Sequence, residues 1–200
     1  MEFNELLYNH QYPENPRCGS LLIAEPLMQE GVFSRSVVMV LDEDKSQGHL
    51  GLELNKQLKV SLNTLIPDLE TERELPVFSG GPVDQSRLFM LHTLGDMFEG
   101  STELFPGIYV GGKIEEVYEY LMTGGETEGK IRFFLGYSGW VAGQLKNEID
   151  KNVWALTNDA IDDPERLLTG RGNSYWRREV KRLGSDYRSW LIVPQNPLMN

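Results

Sequence analysis

Apolar positions along this chain gather in short blocks separated by glycine, proline and acidic residues. Leu21-Leu22-Ile23-Ala24, ended by Pro26, and Ser36-Val37-Val38-Met39-Val40-Leu41, ended by the acidic turn Asp42-Glu43-Asp44, are continuous runs that read as buried strands. His49-Leu50-Gly51-Leu52-Glu53-Leu54 alternates leucine with polar or small residues, the period of a strand with one covered face, and pairs naturally with the run before it. Ser61 followed by Leu62, Leu65 and Ile66 predicts a short capped helix stopped by Pro67. Pro76-Val77-Phe78, Arg87 to His92 and Gly107 to Val110 are further strand candidates. Ile114, Val117, Tyr118 and Leu121 fall at helical spacing before Gly124-Gly125. Ile131 to Leu135 predicts a strand, and Gly143 to Val153 a helix with Leu145, Ile149 and Val153 on one stripe. After Asp162-Asp163-Pro164 come a short helix and a longer one over Tyr175 to Leu183.

Strands outnumber helices and do not alternate strictly with them, so the expected class is mixed α+β. The chain shows no repeat and no linker-like stretch. A single domain over residues 19–200 is expected, preceded by an arm over 1–18 in which Pro13 and Pro16 forbid a regular helix.

Composition narrows the function classes. With 40% hydrophobic and 24% charged residues the chain can bury a substantial core, and its 20 glycines and 10 prolines follow no period. Nineteen basic against 30 acidic residues give a net charge of −11, which repels a phosphate backbone and weighs against direct nucleic-acid binding. Met1 to His10 lacks the cationic start and apolar stretch of a signal peptide, and the longest aliphatic run is Val37 to Leu41, far short of the ~20 residues that span a bilayer. A cytoplasmic protein without a membrane segment is expected. Cys18 is alone, so no internal disulfide or cysteine zinc cluster can form, and it reads as a small buried hydrophobe. His49 and His92 are isolated, and Asp42-Glu43-Asp44 lacks the calcium-loop pattern. Neither a metal nor a cofactor is expected.

The densest segment runs from Phe133 to Leu145 and reads as strand, glycine-rich turn, helix. Gly136-Tyr137-Ser138-Gly139-Trp140 would make the turn a cradle for a small anion, since glycines allow close approach and a helix start offers unpaired N–H groups. It is neither G-x-x-x-x-G-K-[ST] nor G-x-G-x-x-G. Against the nucleophile elbow G-x-S-x-G, Trp140 stands where the second glycine belongs, and His10, His49 and His92 all precede Ser138. An unconventional arrangement with His49 or His92 as base stays open in space. Ser79-Gly80-Gly81-Pro82-Val83 reads first as a strand connector. Its functional reading is that Gly80, Gly81 and Pro82 border one cleft with the Gly136 turn and Gln144, with Arg35 and Asn55 contributing from the rim. Glu148, four residues after Gln144, reads as part of a solvated helix side.

Charge is unevenly spread. Residues 165–200 hold seven basic and three acidic side chains, +4, against −15 for the first 164 residues. Arg177, Arg178, Lys181 and Arg182 would face outward from the last helix, where they could meet phosphate, an acidic partner or the acidic body of the same chain.

Five segments in order carry a resemblance: Gly19 to Pro26, Phe33 to Val38, Gly48 to Lys56, Gly80-Gly81-Pro82-Val83, and Gly136 to Trp140 with Gln144-Leu145 and Glu148. Together they resemble the AlgH/YqgE family of small bacterial proteins. The resemblance implies one domain with a bifurcated sheet and a small barrel-like part, flanked by helices. It implies no settled biochemical activity and an indirect role in transcriptional regulation. No catalytic residue carries over, because the family defines none. Where the family motif often continues G-Y-[AS]-G-W-G, this chain has Val141. The expected function is a binding or regulatory domain for a small anionic ligand or a protein partner. The enzymatic alternative is a hydrolase using Ser138 or a pocket carboxylate, and a third reading is a DNA-bound regulator using the basic helix.

Overall fold

The computed structural model describes residues 15–28, 32–42, 48–158 and 163–194. Most of the expected arm (residues 1–14), Glu43 and Asp44 of the acidic turn, and Asp162 lie outside the described residues. Among the described residues ten strands form one mostly antiparallel sheet: β1 (Leu21–Ala24), β2 (Val37–Val40), β3 (His49–Glu53), β4 (Gln57–Ser61), β5 (Pro76–Ser79), β6 (Val83–His92), β7 (Thr102–Phe105), β8 (Ile108–Val110), β9 (Ile131–Trp140) and β10 (Trp154–Thr157). The α-helices of the described residues flank it: α1 (Leu62–Leu65), α2 (Ile114–Met122), α3 (Gln144–Asp150), α4 (Pro164–Leu167) and α5 (Gly172–Arg182). A 3-10 segment, Ser185–Ile192, follows α5.

The main path through the sheet is β10-β1-β2-β3-β9-β6-β8-β7, and β9 is where it forks. The first half of β9 takes β5 in parallel, with Val77 opposite Phe133 and Ser79 opposite Leu135. The second half takes β3 antiparallel, with Gly51 opposite Ser138 and His49 opposite Trp140. β6 accompanies β9 along both halves, through a bulge between Val83 and Leu88 where Asp84 has φ 46°. The fork falls at Gly136, whose φ of 71° is open to glycine at little cost.

The apolar runs are continuous because β1 and β2 are covered on both faces. Leu21, Ile23, Val37 and Met39 pack toward Trp176 and Trp190 of the C-terminal elements. Their neighbours Leu22, Ala24, Val38 and Val40 pack on the other side with Trp140, Trp154, Leu145 and Ile149 under α3. A third cluster, built on Val77, Phe133, Met90, Val117 and Leu121, joins α2 to the other branch of the sheet.

Several boundaries correct the sequence reading. Gly136 to Trp140 is the second half of β9, a strand and not a turn. β6 starts at Val83, before the expected Arg87. The expected helix over Gly143 to Val153 stops at Asp150, and Trp154 starts a strand. α1 begins after Ser61 as expected, although the Ser61 side chain makes no cap bond. β4 and β7 were not expected.

Candidate functional site

The two glycine segments meet. Gly80 N–H donates to the Leu135 carbonyl at 2.8 Å. A Cβ on Gly81 would lie 2.3 Å from the Tyr137 carbonyl carbon, and one on Gly136 would lie 2.7 Å from the Gly81 oxygen. What they form is a tight backbone seam where β3, β5 and β9 converge: the spaces that a methyl cannot enter leave no recess for a ligand between them. Their glycines allow backbone to approach backbone, not backbone to approach a substrate.

Ser138 sits inside this seam. It is fully buried and its hydroxyl donates to the Gly80 carbonyl at 3.1 Å. His92 is remote in bonding as well as in sequence: it is buried, its Nε2 pairs with Ser101 Oγ at 3.0 Å, and burial lowers its pKa. The nucleophile-elbow geometry is therefore absent, because Ser138 is on a strand and its hydroxyl is engaged by a backbone carbonyl. Of the other expected site residues, Pro82 is exposed beside the seam. Trp140 donates from Nε1 to Glu148 Oε2 at 2.8 Å, and Gln144 accepts from Val141 N–H and donates to Glu148 Oε1. Glu148 also accepts from Trp154 Nε1 at 2.8 Å. This corrects its reading as a merely solvated residue, since it ties two buried indoles to α3. Tyr137, Gly139 and Trp140 line an open cleft of ≈ 490 Å³ together with β3 residues.

Arg35 and Asn55 lie in a different cleft, of ≈ 410 Å³, between β3 and the start of α5. The backbone positions both. Arg35 has φ 52° in the turn before β2. Its guanidinium stacks over Trp176 and donates to Asn173 Oδ1, Val193 O and Pro194 O. Asn55 accepts from Val37 N–H and donates to Arg35 O and Gly172 O, which pins β2, the Arg35 turn and α5 together. Gly172 N–H returns a bond to Asn55 O at 2.6 Å.

The sequence reading missed the most unusual group here. Glu53 is completely buried, and one of its oxygens, Oε1, is held by Ser36 Oγ and by Lys56 at 3.3 Å. Its other oxygen, Oε2, is buried without a hydrogen-bond partner. Burial pushes its pKa up, opposed first by the Lys56 charge. The available signal was a lone carboxylate between Leu52 and Leu54, with Asn55 and Lys56 immediately after. Arg171 completes the cleft at the N-cap of α5, and no side chain caps that helix. Polar groups of both signs thus surround one recess: a buried carboxyl, the three cations Arg35, Lys56 and Arg171, and a helix start without a side-chain cap.

The basic face of α5 is smaller than expected. Arg177 donates to Leu191 O, and Arg178 stacks on Tyr175 while donating to Glu179, Thr169 O and Arg166 O. Only Lys181 and Arg182 of the four are exposed. Among the described residues no group of three or more His, Cys, Asp or Glu side chains could hold a metal ion, and no helix is long and apolar enough to cross a membrane.

Comparison with known proteins follows the same outline. A family model described as AlgH-like matches residues 21–188. A UPF0301 protein of Parabacteroides distasonis is 38% identical over 186 residues, covering 92% of each chain. The solution structure of the AlgH protein from Pseudomonas aeruginosa superposes with a TM-score of 0.66 at 26% identity, covering 92% of this chain and 98% of that one. A crystal structure of a Corynebacterium diphtheriae protein shares the fold, with a TM-score of 0.72 at 22% identity over 95% of this chain and 98% of that one.

Proposed function

The chain belongs to the AlgH-like family of bacterial proteins, and from that footing we propose that it is a binding domain for a small, hydroxylated anion held in the cleft between β3 and α5. The single observation that carries this reading is Glu53: a fully buried residue bordering an open cleft, with one carboxyl oxygen that has no hydrogen-bond partner. A buried polar atom without a partner costs about 1–3 kcal/mol, and a ligand group that reaches it recovers that stabilisation. Lys56, Arg171 and the uncapped N-terminus of α5 supply positive potential at the same recess, suited to a phosphate or carboxylate. A hydroxyl on the same ligand would then satisfy Glu53.

The expected glycine cradle contributes structure to this site, not contacts. Gly80 O accepts from Glu53 N–H at 2.9 Å, so the seam fixes the strand that carries the carboxyl. A role in transcription would on this reading be indirect, since two of the four expected basic side chains on α5 are engaged within the chain.

Calorimetric titration with glycerol 3-phosphate tests the proposal. Saturable binding is expected, weakened about tenfold in Arg171→Ala, roughly one charge-assisted hydrogen bond. Glu53→Gln should weaken glycerol 3-phosphate more than inorganic phosphate. Absence of binding by both probes at millimolar concentration and low salt would remove the proposal.

A further inference from the structure

The other cleft, of ≈ 490 Å³, carries chemistry of a different kind. His49 and Asp42 both line it, and His49 Nδ1 lies 3.2 Å from Asp42 Oδ1. The second carboxylate oxygen accepts from Leu50 N–H at 2.9 Å, so the backbone of β3 fixes the orientation of the carboxylate. An acceptor at Nδ1 selects the tautomer with its proton there and leaves Nε2 with a lone pair. Among the described residues Nε2 has no hydrogen-bond partner. A histidine that borders an open cleft, held by an orienting carboxylate and with its second nitrogen unengaged among the described residues, is the arrangement of general-base catalysis.

The remaining walls define what could be bound. Leu50, Val83 and Val141 are 45%, 38% and 72% exposed, an apolar surface around the dyad. Among the described residues no lysine or arginine lines the cleft, and its described walls suit an uncharged group better than a phosphoester. Among the described residues Tyr137 supplies the one side-chain hydroxyl on the lining. Ser138 cannot serve as nucleophile, being engaged by Gly80 on the buried side of β9.

We propose that this cleft hydrolyses neutral esters with a short apolar acyl group, using water as nucleophile. His49 is the general base, Asp42 its positioning residue, and Tyr137 the donor to the developing oxyanion. Nε2 removes one proton from a water molecule as the water oxygen bonds to the acyl carbon, and the carbonyl electron pair moves onto its oxygen. Collapse of the tetrahedral intermediate restores the carbonyl and breaks the bond to the alcohol oxygen. The departing alkoxide takes the proton from Nε2, returning His49 to its starting state. One ester and one water become one acid and one alcohol, with no oxidant, metal or cofactor required.

The test is hydrolysis of p-nitrophenyl butyrate by the full chain. Saturable turnover is expected, with kcat reduced at least about 100-fold in His49→Gln and about tenfold in Tyr137→Phe. Asp42→Asn should lower kcat with little change in KM and alter the pH profile of kcat, which a merely structural role would not do. Val141→Asp keeps the proposal falsifiable if a dyad variant fails to fold. At its 72% exposed position it leaves the core untouched, and it should raise KM for the butyrate ester more than for the acetate ester. Non-saturable hydrolysis no faster than free imidazole, a folded His49→Gln protein with wild-type turnover, or an unchanged KM ratio in Val141→Asp would each overturn the assignment.

Discussion

A Cβ placed on Gly80 would lie 2.1 Å from the carbonyl oxygen of Gly136. That approach lets β5 end against β9 at the point where β9 exchanges β5 for β3. The obstacle is backbone and not a flexible side chain, so the structure cannot yield locally. Gly80→Ala is expected to destabilise the fold by about 3 kcal/mol, at the upper end for an overpacked core site. Urea denaturation measures it, and a loss below about 1 kcal/mol would show that the strand ends can separate without penalty.

Glu148 is predicted to be worth far more than its half-buried surface position suggests. Glu148→Ala would leave two indole N–H donors, on Trp140 and Trp154, without their acceptor. Both tryptophans are at most 5% exposed, so the expected loss is about 3 kcal/mol. Chemical denaturation followed by tryptophan fluorescence reports both the stability and the indole environment. Wild-type stability in the alanine variant would contradict the tie.

Glu179 is 2% exposed and pairs with Arg166 and, at 2.7 Å, with Arg178. Removing the carboxylate in Glu179→Ala leaves the Arg166 side chain, itself 9% exposed, with an uncompensated charge. The expected cost is about 3–5 kcal/mol. The thermal midpoint should fall accordingly, whereas Arg182→Ala, whose nitrogen is 3.9 Å away and half exposed, should change it little.

Glu53 sets a pH dependence with a definite sign. Burial raises its folded pKa above the ordinary 4.5, so in that window the folded state holds a proton the unfolded state has lost. Its contribution to stability is complete below about pH 4.5 and declines as pH rises from there through the folded pKa. Glu53→Gln removes this slope. The stability of wild type relative to that variant should fall between pH 4.5 and neutrality, and a difference that rises instead would mean that Lys56 and Ser36 outweigh burial.

Much of the architecture was legible because β1 and β2 are buried on both faces, which makes an apolar run continuous and easily recognised. The Gly136 segment misled for a physical reason. Glycine serves a chain reversal and a close backbone crossing equally well, and only the position of Gly80, far away in sequence, distinguishes the two. The expected helix ran past Asp150 to Val153 because Val153 continues the stripe of Leu145 and Ile149, and β10, which starts at Trp154, was not expected. Arg35 and Asn55 were expected on the rim of a cleft shared by the Gly80 and Gly136 turns and instead border the cleft between β3 and α5, while Glu53 escaped the reading of the chain. A carboxylate at an alternating position normally faces water, and its burial depends on Ser36 and on the start of α5, over a hundred residues away.

The measurement that addresses the binding cleft most directly is a titration of the ¹⁵N-labelled chain with glycerol 3-phosphate, followed by backbone amide shifts. Saturable shifts confined to Asn55, Lys56 and Gly172 to Ser174, lost in Arg171→Ala, are the predicted result. Saturable shifts centred instead on Gly80, Gly81 and Gly136, or no saturable shift at any amide, would contradict a ligand site between β3 and α5.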